Sequence, residues 1–377
     1  MSSPAPRRLP FRLQETGLIF VILVLGAFIA GFGGTVRQPR LEAGPDGNPQ
    51  RVFTTSADGE RVAVFEEKNK FLNARNLSQL AKDTSFIAIM AVGATFVIIS
   101  GGIDLSVGAI FALASVIGAI TFRHFGPEGP AAGSQMAGVL AGSAACLGTA
   151  TLCGLANGLM ITGLKVHPFI ITLGTMAIYR GIAFIITNGQ SIGAFPEAFR
   201  NIVLWGSSTG LSLVPLFTML LAGVAGTVYL VRLAAGRRIY AIGGNELASR
   251  YSGIRVERVK LSVYVYSGLT AGIAALLSLG YYGAATSGDG QGYELNVIAA
   301  AVVGGASLSG GKGTALGALL GALIIQMISA GIVILDINQN YSQIIVGAVV
   351  IIAVLLERLN QLLARKKKHD SPGPRPG

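Results

Sequence analysis

The sequence predicts an all-α polytopic membrane protein of about ten transmembrane helices, with both termini in the cytoplasm. Three observations carry that fold class. Of 377 residues, 51% are hydrophobic and only 12% are charged, where soluble domains carry about 25% charged residues; the mean hydropathy is +0.62. The apolar residues gather into continuous runs near the roughly 20 residues that cross a bilayer, not the short alternating segments of a β-barrel. The 52 glycines are close to double the ordinary share of about 7%, and glycine lets membrane helices approach backbone to backbone.

Taken in order, residues 1–16 read as a cytoplasmic tail carrying Arg7, Arg8 and Arg12. The apolar run that follows has the charge order of a secretory signal. It is long, however, and lacks a small-x-small exit, so 17–35 reads as an uncleaved first span. Residues 36–75 read as a periplasmic insert, polar and rich in turn formers; within it, 51–65 interleaves turn residues with Val and Phe, the pattern of a small hairpin. The bundle proper is expected over 76–362. Its spans fall near 86–100, 105–122, 135–164, 168–187, 211–233, 261–281, 295–307, 313–335 and 342–362. The runs at 86–100 and 295–307 are short for a span and call for tilt, a break or help from their flanks.

Ten spans place both termini on one side, and the basic residues choose which. Lys165, Arg232, Arg237, Arg238, Arg250, Arg255, Arg258, Lys260, Lys312 and the cluster at 365–368 then face the cytoplasm. The short outward loops keep little beyond Arg123 and Arg200. That asymmetry is the positive-inside signature. It accounts for the net charge of +11 without any nucleic-acid partner. The loop 234–260 is cytoplasmic in this topology, and 363–377 is a basic cytoplasmic tail.

Other chemistries find little support. Cys146 and Cys153 form no CxxC pair, and His124, His167 and His369 are scattered, so redox and metal chemistry are not indicated. No Ser/His, paired-Asp or metal constellation suits an intramembrane enzyme. The stretch GGKGT at 310–314 resembles a phosphate loop, but GxxxxGK[ST] requires Gly at 306 and Ser or Thr at 313. Those positions hold Ala306 and Gly313. Any ATP hydrolysis therefore belongs to a partner.

Two stretches carry the functional expectations. GGIDLSVG (101–108) and GGASLSGG (304–311) share GGxxLSxG in tight inward turns; a structural repeat of the kind transporters contain and coincidence in a glycine-rich chain both account for it. Asp104 and Ser106 sit just before a helix. Asp104 suits both a cap on the first free N–H groups and a polar group near an inner gate. Inside spans lie Asn157, Thr162, Thr172, Thr175, Arg180, Asn188, Asn296 and Gln326. Amides and hydroxyls suit weak binding of a hydroxylated solute, and equally suit interhelical bonds worth about 0.6 kcal/mol on average. Arg180 has no obvious acidic neighbour in its run.

The second stretch is RRIYAIGGNELASRYSGIRVERVK (237–260). Asn245 is placed as an N-cap, Glu246 in a first turn, Arg250 in a last turn and Gly253 as a left-handed stop. This predicts a helix of about two turns at the inner membrane surface. It reads as a basic loop anchored to head groups or as a lever taking force from another protein.

With these stretches quoted, the chain is similar to the permease family of ribose-, xylose- and galactoside-type ABC importers. The likeness also rests on Asn157–Gly158, HPFIITLGTMAIYRGIAFIITNGQSI (167–192) and GQGYELNVIAAAVVGGASLSGGKGTALGALLGALI (290–324). It covers the chain from about 71 to 359.

The resemblance implies a permease homodimer in the bacterial inner membrane, two cytoplasmic ABC ATPase subunits that bind ATP and Mg, and a periplasmic sugar-binding protein. No cofactor is implied for this chain. It further implies that Asn245, Glu246, Ala248, Ser249, Arg250, Ser252 and Gly253 couple to the ATPase; by residue type and position, Asp104, Ser106, Asn157, Thr172, Thr175 and Asn296 are expected to line a pathway or gate for a monosaccharide or polyol, moved by alternating access. The rival class is an ion-coupled secondary carrier, which usually shows deep charged relays. Three departures stand out: Ala330–Gly331 where Asn-Gly is common, Tyr341 where Trp is common, and the long insert.

Overall fold

The computed structural model describes residues 13–43, 49–55, 60–206 and 212–369. Thirteen α-helices are found among them. They are α1 Leu13–Phe32, α2 Ala74–Ile99, α3 Val107–His124, α4 Gln135–Leu164, α5 Pro168–Thr187, α6 Glu197–Val203, α7 Leu213–Arg232, α8 Ala234–Gly244, α9 Glu246–Tyr251, α10 Val256–Tyr282, α11 Tyr293–Val303, α12 Ala315–Ile334 and α13 Ser342–His369. Eight of these (α1–α5, α7, α10 and α12) are long and apolar enough to cross a bilayer; α11 and the stretch Gln339–Leu355 are shorter. The chain is mostly helical, as its composition predicts, with eight candidate spans among the described residues.

Helix ends follow local chemistry. Asn73 caps α2 by accepting from the Asn76 N–H at 2.8 Å, and Thr314 caps α12 by accepting from Gly317 at 2.9 Å. Pro168 opens α5 at a position where a missing N–H costs nothing. Lys165, Asn188 and Gly283 end α4, α5 and α10 in the left-handed conformation.

The one large boundary error of the sequence reading is α2, which begins twelve residues before the expected 86. The added turns carry Lys82, a charge that shortens the apolar run in the sequence, yet it is only 3% exposed. Its ammonium lies 3.7 Å from the centroid of Tyr281 on α10 and donates to Gln79 at 2.6 Å. A cation over an aromatic face is stabilised even when desolvated, so tertiary packing absorbs the charge that a hydropathy window penalises.

The insert is a branched β-ribbon. Its strands are β1 Thr35–Pro39, β2 Leu41–Ala43, β3 Pro49–Arg51, β4 Phe53–Thr55, β5 Arg61–Ala63 and β6 Phe65–Asn69. β1 pairs antiparallel with β6, β2 with β3, and β4 with β5. The expected hairpin within 51–65 is the β4–β5 arm. Where the three ribbons meet, Arg40, Val52 and Val64 close a ring of backbone hydrogen bonds of 2.8–2.9 Å. Asn69 fixes the stem to the bundle, donating to Ala30 O at 2.7 Å and accepting from Phe71 and Leu72 N–H at 2.9 Å.

α2 is the central post, buried along almost all of its length from Leu80 onward. It packs against α7, α10, α11 and α12. Glycine sets how closely helices approach. At the α4–α10 crossing Gly154 faces Gly268, and an added Cβ on either would overlap a backbone carbonyl of the other helix. This is the small-residue packing expected where lipid supplies no hydrophobic drive between helices.

Candidate functional site

The polar residues singled out in the sequence are largely one network. Asp104 lies in the turn between α2 and α3, 2% exposed. Its Oδ1 accepts from the Ser106 N–H at 3.0 Å and from Ser106 Oγ at 2.6 Å. Its Oδ2 accepts from Ser267 Oγ on α10 at 2.9 Å. Ser106 Oγ in turn accepts from Asn157 Nδ2 on α4 at 2.7 Å, and Asn157 Oδ1 accepts from Tyr179 OH on α5 at 3.2 Å. Four helices are thus joined through buried polar side chains, all of them satisfied, which is the condition under which such networks rigidify a core.

Asp104 is not the helix cap expected of it. The residue that caps α3 is Ser106, which makes no side-chain cap bond. Asp104 instead folds back two residues in a local carboxylate–amide turn. Counting 1.5 Å per residue, Asn157 lies about 10 Å from the end of α4 at Leu164, and Ser267 about 16 Å from the start of α10 at Val256. The network is well inside the bundle.

Thr172 and Thr175 flank it. Thr172 Oγ1 donates to Pro168 O at 3.0 Å and to Ile103 O at 3.3 Å; Thr175 Oγ1 donates to Thr172 O at 3.3 Å. Both are buried; Thr172 ties α5 to the Asp104 turn, Thr175 bonds within its own helix, and neither faces an open channel within one chain. Asn296 stands apart, half-buried on α11, outside the network. The repeat GGxxLSxG is a structural echo: Ser307 Oγ accepts from the Ser309 N–H at 3.3 Å, matching the turn made by Asp104 and Ser106.

Arg180 finds partners more than a hundred residues away. Its guanidinium donates to Ser287 O at 2.9 Å and Asp289 O at 2.5 Å, in the segment joining α10 to α11. Asp289 closes that segment by accepting from Thr286 N–H and Oγ1 at 3.0 and 2.6 Å.

The segment from α8 to α10 forms as the sequence predicts. Asn245 Oδ1 accepts from the Ala248 N–H at 2.9 Å and starts α9. Gly253, at φ 79°, ends it, with the Ile254 N–H reaching Ser249 O at 3.1 Å. Glu246 pairs with Lys260 at 2.6 Å, and Arg250 with Glu257 at 2.6 Å, so both ends of α9 are strapped to the first turns of α10. Exposed pairs of this kind contribute little energy; here they fix direction.

Ser249 faces inward at 5% exposure, while Leu247 and Tyr251, four apart, are 61% and 83% exposed. The sequence reading did not single out those two, although their i, i+4 apolar spacing was visible. Behind α9, Gly243 touches Ile99 O and Gly311 backbone to backbone, and Gly311 N–H donates to Ile99 O at 2.8 Å. The end of α2, the end of α8 and the second GGxxLSxG turn therefore meet at one glycine junction.

Comparison with known proteins places the chain in a family. Residues 76–354 match the family described as branched-chain amino acid transport system / permease component. Over 291 residues the chain is 40% identical to the ribose import permease protein RbsC of Bacillus subtilis, covering 76% of this chain and 86% of the relative. It is 37% identical over 300 residues to the D-allose transport system permease protein AlsC of Escherichia coli, covering 79% and 88%. A probable ABC transporter permease protein, y4mJ of Sinorhizobium fredii, is 36% identical over 306 residues, covering 80% and 86%. These are transport components and not enzymes, and an ion-coupled carrier is not what they describe. The chain belongs to this permease family, as a multi-pass inner-membrane subunit of an ABC importer.

Proposed function

We propose that the protein moves a monosaccharide or related polyol inward by alternating access, as a homodimer served by two cytoplasmic ATPase subunits and a periplasmic solute-binding protein. ATP and Mg are held by the ATPase. In this reading α1–α5, α7 and α10–α13 are the ten spans. Residues 165–167, 233–255 and 304–314 then lie on the cytoplasmic side, with the β-ribbon in the periplasm and 363–377 as a cytoplasmic tail.

One observation carries the mechanism. α9 is strapped to α10 by Glu246–Lys260 and Arg250–Glu257, and α10 also holds Ser267 against Asp104. A displacement of α9 by the ATPase is delivered along one rigid helix to the network that joins α3, α4 and α5. Two packings of such a bundle differ by only a few kcal/mol in ordinary switching proteins, and ATP binding biases them by its differential affinity. Leu247 and Tyr251 supply the apolar anchors on α9. Asn245, Glu246, Ala248, Arg250, Ser252 and Gly253 shape the segment, and Ser249 packs beneath it.

The sugar reading rests on the relatives named for ribose and allose. The family description names branched-chain amino acids, which sets the control. Proteoliposomes holding the permease, its ATPase and its binding protein are given ATP inside and labelled ribose, allose or leucine outside. ATP-dependent sugar uptake is expected. Uptake of leucine alone refutes the sugar reading, and uptake driven by an ion gradient without the ATPase refutes the coupling.

A further inference from the structure

The basic residues around α9 fall into two sets. Arg250 and Lys260 are neutralised by Glu257 and Glu246. The side chains of Arg238 on α8, Arg255 before α10 and Arg258 in its first turn make no hydrogen bond or ion pair among the described residues. All three line one groove of about 620 Å³, with Tyr229, Val259 and Ser262. No carboxylate lines it. Three cations sharing a cavity repel one another, and no acidic side chain among its described lining residues offsets that cost.

The groove does not end at the arginines. Tyr229 and Ser262 also line a second cavity of about 160 Å³, whose other walls are Phe96, Val263, Tyr266 and Leu269. The ring of Tyr229 packs 5.3 Å from Phe96 and 6.4 Å from Tyr266 by centroid distance, which makes a smooth aromatic floor. From Arg258 to Leu269 the two cavities follow α10 for about 16 Å at 1.5 Å per residue. A basic groove at the end of the bundle thus borders an apolar cavity that lies farther along α10.

We infer that this groove binds an anionic phospholipid of the cytoplasmic leaflet, its phosphate on Arg238, Arg255 and Arg258 and an acyl chain in the slot beside Phe96, Tyr266 and Leu269. Guanidinium groups grip phosphate through paired N–H donors, and basic pockets between helices on the cytoplasmic side suit such head groups. The apolar slot distinguishes a lipid from a free anion, which has no use for it. The site borders Ser252, Gly253 and Ile254, so an occupied groove braces the end of α9 against α7 and α10. The inference rests on the cytoplasmic placement proposed above. A Ser252→Cys variant labelled in inverted vesicles but not in intact spheroplasts fixes that placement independently.

The test uses the full chain in nanodiscs of phosphatidylcholine doped with phosphatidylglycerol, with retained lipid counted by native mass spectrometry. Each arginine near a membrane surface is worth about fivefold in binding an anionic lipid, so R238Q/R255Q/R258Q lowers retention on the order of a hundredfold. Leu269→Trp, which fills the slot and leaves the charges, also lowers retention. Equal retention of the two lipids by the wild-type chain overturns the proposal. So does competition by glycerol phosphate with no effect of Leu269→Trp, which marks a plain anion site. Loss of ATPase co-purification by the triple variant in pure phosphatidylcholine also overturns it, because the arginines then serve a protein partner.

Discussion

Replacing Asp104 by alanine removes the acceptor for three buried hydrogen bonds, from Ser106 N–H, Ser106 Oγ and Ser267 Oγ. Bonds to a charged group are each worth about 1.5–3 kcal/mol, which would sum to roughly 5–9 kcal/mol if nothing adjusted. Two adjustments reduce this. Ser106 Oγ keeps Asn157 as a partner, and the Ser267 hydroxyl can turn to a carbonyl of its own helix, as Thr270 does toward Ser267 O. Measured interhelical bonds in membranes average only about 0.6 kcal/mol. About 3 kcal/mol is therefore expected for Asp104→Ala.

Asparagine keeps both bonds from Ser106 and turns its amide toward Ser267, so Asp104→Asn is expected to cost about 1 kcal/mol. The assay heats detergent-solubilised protein in steps and follows the folded peak on size exclusion by the fluorescence of Trp205, the sole tryptophan. Both variants are then compared in ATP-driven uptake at equal inserted amounts. If Asn proves as damaging to heat resistance as Ala, charge and not bonding sustains the site. If Ala matches the wild type, the network does not hold the helices together.

Three further outcomes are expected. Gly243→Ala places a methyl against Ile99 O and 2.5 Å from Gly311 N, an overpacking worth about 1–3 kcal/mol; ATP turnover should persist while uptake per ATP falls, and an unchanged ratio removes the glycine junction from the coupling route. Leu247→Ala with Tyr251→Ala should weaken co-purification of the ATPase by about 30-fold, the effect of losing roughly 2 kcal/mol at an aromatic anchor, while Ser249→Ala should leave it near normal. Arg180→Met removes two bonds to the α10–α11 segment; maleimide labelling of a cysteine at Ser287 should quicken about tenfold, with Arg180→Lys intermediate.

Much of this architecture was legible in the chain. The runs at 135–164 and 168–187 coincide with α4 and α5 because Lys165, His167 and Pro168 punctuate them. Asn245 and Gly253 were readable as the ends of α9, since a cap and a left-handed stop act within a few residues. What escaped was long-range. Lys82 looked like a boundary until Tyr281 covered it. Arg180 looked unpartnered until the chain returned at Ser287 and Asp289. Asp104 suited a cap or a gate by sequence, and Ser267, the residue that explains its second oxygen, carries no local signal. Asn296 was grouped with Asn157 by residue type, and topology set them apart.

The shortness of α11 has a consequence for its neighbours. Its 11 residues rise about 16 Å, roughly half the hydrocarbon thickness, and irregular backbone joins it to α10 and α12. Peptide groups there lack the ladder of a helix, so neighbouring protein must shield them from lipid; α11 itself packs against α2, α3, α12 and α13. The bundle thus contains, at α11, a half-length rod whose joining backbone depends on surrounding protein and not on lipid.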